Sequence, residues 1–549
     1  MELITDLLYT FSTEASRMNV TLSLFFIFLG LLYWFSVYPF SVLSRYGIKH
    51  PKTVPFFGNM LMFHKGYFES TSNIVRTHGK LCGYYFGRKP VVLLAEPDLI
   101  KQVMVKEFGS FPNRIMLSDA SKPLKDTLPL LRNERWKRVR SVVTPTFSAA
   151  KMKEMVPLMN IAIDTLMNNL SAHAESEKGF DINKCFSCFA LDVIASVAFG
   201  TQVDSHKTPD NPLVRYGQMY FSTSFFRPFV LFRELFPAIM TPLSKFFPNK
   251  KREEVNKFYI RIIQRIIKQR EEQAPDQRRR DFLQLLLDAR TEPETVSLDD
   301  FDTGNQSEFD DRRQQTQSSA ADHKNSDFHA EAHKRRPQKQ MLTEDDIVGQ
   351  VFIFLVGGFE NVSNTLAFAS YLLALHPECQ RKVLDEVDDF FTRHDSPDYT
   401  NIQELKYLDM VVCETLRLYP IVFRIVREIK QNCALGDLRL PKGMLEIPAG
   451  FLHFDPDHWP EPEKFNPERF TPEARANRHP FVYLPFGTGP RNCVGMRLAQ
   501  LEIRMALAHL FHKFSVTACS ETKVPLELKS ISNLGPKNGV FVKITTRDN

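Results

Sequence analysis

The residues best suited to chemistry form a run near the C-terminal end, Phe486-Gly487-Thr488-Gly489-Pro490-Arg491-Asn492-Cys493-Val494-Gly495. An aromatic residue leads into a glycine-rich turn, an arginine stands two before a cysteine, and a glycine follows two after. Glycines admit positive φ and let backbone come close to a flat group. Apolar residues at helical spacing follow at once (Leu498, Leu501, Ile503, Met505, Leu507, Leu510), which puts the cysteine at a helix start. There, free N–H groups and the helix dipole favour the thiolate and lower its pKa. Loop, thiolate and cation together suit an axial iron ligand at Cys493, with Arg491 placed for a haem propionate and Phe486 beside it. A buried free cysteine in a glycine turn is the plain alternative, but it does not account for so many positions agreeing at once.

Other candidate pairs are weaker alone. Trp136 and Arg140 are four apart, share a helix face and present N–H donors that can hold a carboxylate. Glu414 and Arg417 are three apart, and Arg469 supplies a second guanidinium further on. Arg424 and Arg427 lie close together in Phe423-Arg424-Ile425-Val426-Arg427. Cys185 and Cys188 form one CxxC with no second pair to complete a zinc site, so they read as core residues.

The elements that must carry these residues are legible. Thr343-Glu344-Asp345-Asp346 opens a helix with a hydroxyl at the N-cap and acids in the first turn. It continues through Val351-Phe352-Ile353-Phe354-Leu355-Val356-Gly357-Gly358-Phe359-Glu360-Asn361, apolar all round, and should run through the core. Gly357-Gly358 weakens that helix by about 1 kcal/mol per residue, which suggests close approach of a ligand. Leu81–Phe86 and Val91–Leu94 read as strands.

The chain divides into a short N-terminus (1–18), an apolar span (19–40), a proline-broken connector (41–60) and one large domain (61–549). About twenty uncharged apolar residues cross a bilayer, and this span lacks a small-residue cleavage site. Acids precede it and Arg45, Lys49 and Lys52 follow, so the positive-inside rule places residues 1–18 in the lumen and the large domain in the cytosol. Residues 291–340 are polar and read as a disordered insert. Residues 227–250 are rich in phenylalanine with basic residues between, a pattern of buried core or of a segment dipping into a membrane interface. With 549 residues, 43% hydrophobic, the chain can bury a large core, and a net charge of +6 gives no sign of nucleic-acid binding. Eight cysteines are too sparse for a disulfide framework and fit a reducing compartment.

The cysteine loop resembles that of the cytochrome P-450 (haem-thiolate) family, and the other candidates occur in family order. The resemblance covers essentially everything after residue 50. It implies the cytochrome P-450 fold, mainly α with small β-sheets (α+β), behind an N-terminal transmembrane helix in the endoplasmic reticulum membrane. It implies haem b on Cys493, with Trp136, Arg140 and Arg427 joining Arg491 at the propionates. Glu414, Arg417 and Arg469 become a buried structural network, and the Gly357, Gly358, Glu360, Asn361 stretch the distal pocket. Residues 227–250 become the segment over the substrate entrance.

The family's distal helix usually carries an acid followed by threonine, which organises proton delivery during oxygen activation. Here Asn361 follows Glu360, and Ser363 and Thr365 cannot face the same way. Leu81-Cys82-Gly83-Tyr84-Tyr85, Phe282-Leu283-Gln284, His458-Trp459-Pro460 and the tail Leu534–Val540 are similar to the endoperoxide-rearranging branch of the family. That branch implies conversion of prostaglandin H2 to thromboxane A2 by O–O cleavage, beside a C17 hydroxy acid and malondialdehyde, in a monomer needing no reductase. The alternative is an NADPH- and reductase-dependent microsomal monooxygenase of lipophilic drugs, steroids or fatty acids. A haem carrier closed by a second ligand is disfavoured, since Val351–Val362 offers neither histidine nor lysine.

Overall fold

One helix, Glu344–Leu375, organises the molecule. The Thr343 hydroxyl accepts from the Asp346 amide at 3.1 Å while the Asp346 carboxylate accepts from the Thr343 amide at 3.0 Å, so the sequence-expected cap is a full capping box. Because the helix is apolar on every side it is buried along most of its length, packed against Ile182–Phe199 and flanked by Lys406–Leu418 and Met496–Lys513. This computed structural model describes residues 2–115, 121–200, 205–207, 212–221, 232, 235–244, 249–274, 278, 281–291, 342–530 and 533–547. Nearly all of the polar insert, and 227–231, 233–234 and 245–248 of the phenylalanine-rich stretch 227–250, lie outside the described residues. Within the latter, helix Pro237–Ser244 exposes Ile239 and Leu243, and Phe236 meets Phe56 at 5.7 Å between ring centroids.

Strands are few and short. In chain order they are β1 (Leu81–Phe86), β2 (Lys89–Leu94), β3 (Phe180–Asp181), β4 (Ile425–Ile429), β5 (Cys433–Leu435) and β6 (Leu438–Leu440). They continue with β7 (Gly443–Ile447), β8 (Phe514–Thr517), β9 (Leu528–Ser530), β10 (Leu534–Pro536) and β11 (Phe541–Thr546). The largest sheet runs β1-β2-β7-β4, with β2 and β7 parallel and the other pairs antiparallel. β3-β11-β8 forms a second sheet, while β5-β6 and β9-β10 are hairpins. One apolar core surrounds the central helix and a second lies beneath the large sheet.

Among the described residues three helices are long and apolar enough to cross a membrane, but Ile182–Phe199 and Glu344–Leu375 are mostly buried in the fold. Asn19–Arg45 alone of these is almost wholly exposed. Its end is seated on the domain: Phe40 and Leu43 are buried, the Leu43 amide donates to Tyr85 Oη at 2.8 Å, and Arg88 stacks on Phe35 at 3.6 Å. The proline-broken connector is likewise folded onto β1 through the Lys49–Cys82 and Gly58–Phe86 bridges, rather than extended as a free spacer.

Candidate active site

Gly487 (φ +72°) and Gly489 (φ +70°) turn the loop that ends at Cys493. A Cβ at Gly489 would overlap the Met104 carbonyl, so only glycine fits there. The turn closes on itself, with the Asn492 amide donating to Gly489 O and the Cys493 amide to Phe486 O, both at 2.9 Å. The Cys493 side chain is accessible, yet protein surrounds it closely enough for burial to raise its pKa, so it lines an internal opening. The sequence-based expectation of a lowered pKa is not met. The following helix begins at Met496 behind a Gly495 cap, leaving the sulfur short of the first turn. The Gly495 amide, Arg140 and Arg114 favour the thiolate, but burial outweighs them.

Four arginines converge around this loop. Arg140 donates from Nη1 to Asn492 O (3.0 Å) and from Nη2 to Asn492 Oδ1 (2.7 Å). Arg114 Nη2 donates to Arg491 O at 3.0 Å, and Arg491 Nη2 to Leu131 O at 2.9 Å. The Arg491 guanidinium lies 4.2 Å over the ring of fully buried Trp136, which serves as its platform. Arg427 is wholly buried on β4 and donates Nη1 only to its neighbour's carbonyl, Val426 O. Burial, then Arg114 and Arg491, holds Arg427 well below its ordinary pKa. Burial and the neighbouring arginines likewise bring Arg491 to about 9.

Arg427 Nε and Nη2, Arg491 Nε and Nη1, and Arg114 Nε are buried with no acceptor among the described residues. Orphaned donors on crowded guanidiniums are costly unless an anion completes them. A flat group bearing two carboxylates, held beside a cysteine sulfur, satisfies these donors, so the residues present fit haem. Arg114 escaped the sequence reading because it sits in a loop without periodicity. Its place is set by Asn113, which donates to Asn133 Oδ1 (2.8 Å) and accepts from the amides of Asn133 (3.0 Å) and Glu428 (2.8 Å).

Along the central helix the two glycines differ. A Cβ on Gly357 would meet nothing within 4 Å, whereas one on Gly358 would press on Ile194 Cδ1. Gly358 therefore serves close packing against Ile182–Phe199, and only Gly357 borders open space. Glu360 pairs with Lys529 Nζ at 2.8 Å, and Asn361 Oδ1 accepts from Asn533 Nδ2 at 2.9 Å. The Ser363 and Thr365 hydroxyls donate to the Glu360 and Asn361 carbonyls, at 3.2 and 2.8 Å. Acid and hydroxyls on this stretch are thus committed to holding structure.

Glu414 and Arg417 are fully buried and joined by Nε–Oε2 (2.7 Å) and Nη2–Oε1 (2.8 Å) contacts, with Arg469 Nε 3.4 Å from Glu414 Oε1. The remaining Arg417 donors reach the carbonyls of His453, Pro462 and Lys464. Arg424 turns elsewhere, 3.7 Å from the buried Glu446 carboxylate that also accepts from Tyr84 Oη. Cys185 and Cys188 bond to different partners, and no metal-binding cluster occurs among the described residues.

The helical fold around one apolar helix, with a cysteine loop ringed by arginines, defines a haem-thiolate protein. The family model Cytochrome P450 matches residues 48–306 and 305–543, and the chain belongs to that family. Within it, the chain is 46% identical to thromboxane-A synthase of Macaca fascicularis over 97% of its length and 98% of the relative's. It is 45% identical to thromboxane-A synthase of Sus scrofa (98% and 99% covered) and 35% identical to cytochrome P450 3A29 of Sus scrofa (99% of each).

Proposed function

We propose that the chain is an isomerase converting prostaglandin H2 to thromboxane A2, with a C17 hydroxy acid and malondialdehyde as by-products. One observation carries this reading: identity to four mammalian thromboxane-A synthases is 44–46% over nearly the full length, against 33–35% for the cytochrome P450 3A relatives. Haem b would be held by Cys493 at the iron, by Trp136, Arg114, Arg140, Arg427 and Arg491 at the propionates, and by Phe486 at its edge. Bound there, it supplies an electron-rich, thiolate-ligated iron suited to opening a peroxide bond.

The chain's own residues position and exclude. The guanidiniums neutralise the propionates, and the glycine turn lets backbone lie close to a flat ring. Gly357 leaves room for a bulky substrate, while buried Val356 and Phe359 help keep water out. Isomerisation conserves every atom and electron of the substrate, so the commitment of Glu360 to Lys529 removes nothing the reaction needs. Neither a reductase nor a second subunit is required in this reading. The anchor lies in the endoplasmic reticulum membrane with Arg45, Lys49 and Lys52 on the cytosolic side, together with the domain.

The test is product analysis after adding prostaglandin H2 to purified, reductase-free holoprotein. Thromboxane with C17 hydroxy acid and malondialdehyde, formed without NADPH, is expected. A protein idle until NADPH and reductase are supplied would instead be the monooxygenase.

A further inference from the structure

Burial of the N-terminal helix changes abruptly. Residues 19–35 are all exposed, whereas Ser36 is fully buried and its carbonyl accepts from the Phe56 amide at 3.5 Å. At about 1.5 Å per residue the exposed stretch is about 26 Å long, close to the thickness of a bilayer's hydrocarbon. Tyr33, Trp34 and Tyr38 gather at its domain end, and Trp34 packs on Tyr38 with ring centroids 5.0 Å apart. Aromatic rings of this kind collect where hydrocarbon meets headgroups, which places that boundary at Phe35 and Ser36.

Two arginines stand at that level. Arg88, in the two-residue turn between β1 and β2, lays its guanidinium over Phe35 at 3.6 Å, and Arg45 lays its own over Tyr38 at 5.4 Å. Phe35 and Tyr38 are less than one helical turn apart, about 5 Å along the axis. The turn is held there from behind, because Tyr85 of β1 accepts the Leu43 amide and packs against Phe40 at 5.1 Å between centroids. Arg45 donates to Ser41 Oγ at 2.6 Å, while Arg88 Nε is buried with no acceptor among the described residues. Nor does any carboxylate among the described residues pair with either guanidinium. At a bilayer surface the plentiful anion is lipid phosphate, which an arginine fork can hold at two points.

We propose that Arg88 and Arg45 form a phosphate site for membrane lipid at the domain end of the anchor, selective for headgroups of net negative charge, an assignment that rests on reading residues 19–40 as the bilayer span. Arg88 reaches the headgroups from the domain and Arg45 from the connector, so lipid binding draws both onto one surface. Zwitterionic lipid offers the same phosphate beside a cation that the guanidiniums repel, hence a preference for phosphatidate over phosphatidylcholine.

Trp34 is the one exposed tryptophan of the three and reports on lipid at this level. Full-length holoprotein is reconstituted in phosphatidylcholine brominated near the top of its acyl chains, and unbrominated phosphatidate is added. Relief of Trp34 quenching then gives the relative affinity of the two lipids. The parent should favour phosphatidate by about fivefold, and Arg88→Gln and Arg45→Gln should each lower that preference by about twofold or more. Lys49→Gln, which removes an exposed charge further along the connector, should leave it intact. A parent-level preference in both arginine variants would overturn the proposal, and so would an equal loss in Lys49→Gln, which leaves only diffuse attraction. Trp34 unquenched in the parent would put the span outside the bilayer and remove the site with it. Millimolar inorganic phosphate should not alter the preference. Its abolition by phosphate, with chloride of equal ionic strength inert, would assign the arginines to free phosphate instead. Haem content and thermal midpoint show that each variant folds, and should Arg88→Gln fail there, Arg45→Gln, at an exposed side chain, carries the test.

Discussion

Arg140 grips Asn492 at two points, backbone carbonyl and side-chain oxygen, at 3.0 and 2.7 Å. The helix Asn133–Val143 thereby clamps the residue immediately before Cys493. This arginine supplies positive charge near the sulfur and also the geometry of the loop that presents it.

Lysine at 140 would keep the charge and lose the fork. Arg140→Lys is therefore expected to lower haem content of the purified protein by about fivefold, equivalent to roughly 1 kcal/mol in haem affinity. Pigment-to-protein ratio after gel filtration measures it. Parent-level haem in the lysine variant would mean that charge alone suffices.

Glu414 is the single carboxylate between Arg417 and Arg469. Removing one partner of a buried ion pair leaves its charge uncompensated, at about 3–5 kcal/mol. Glu414→Ala should thus lose most folded protein at physiological temperature, while Arg469→Ala, on the less direct 3.4 Å arm, costs less. Chemical denaturation of both variants ranks them, and the reverse order would contradict the assigned geometry.

The two helix glycines should respond in opposite directions. Gly357→Ala meets nothing and gains helix propensity, so it stabilises by about 0.5–1 kcal/mol. Any cost then appears in KM for a bulky substrate. Gly358→Val pushes on Ile194 and should destabilise by about 1–3 kcal/mol. Thermal midpoints of the pair decide it.

What the sequence disclosed and what it concealed divide along one physical line. The capping box at Thr343, the strands at 81 and 91 and the cysteine turn depend on neighbours within a few residues, and their residue types state them. The Glu414–Arg417 pair is equally local, three apart on one helix. Arg114 gains its place from Asn113 contacts twenty residues away, and Lys529 meets Glu360 across 169 positions, separations that no periodicity encodes. The Cys493 expectation failed because burial, which depends on the whole fold closing around the sulfur, outweighs the Gly495 amide, Arg140 and Arg114. Gly358 was assigned to the pocket when packing against Ile194 required it.

A histidine links the buried ion pair to the cysteine loop and makes stability depend on pH. His453 is wholly buried, accepts the Leu484 amide on Nε2 at 2.9 Å, and its carbonyl accepts from Arg417. Leu484 O in turn accepts from the Gly487 amide at the start of the glycine turn. Burial, then Arg417, brings the His453 pKa down to about 3, and burial with His512 brings His509 to about 4. Below the unfolded value of about 6.5, unfolded chains bind protons that the folded protein does not. Stability is therefore full above pH ~6.5 and falls as pH drops toward the folded values, by about 1.4 kcal/mol per unit for each histidine. At pH 5 the two together remove roughly 4 kcal/mol. His453→Gln, which keeps an acceptor for the Leu484 amide without titrating, should about halve the slope of unfolding free energy between pH 5 and 6.5. Denaturant titrations of both proteins across that range measure it, and an unaltered slope would place the proton uptake on other groups.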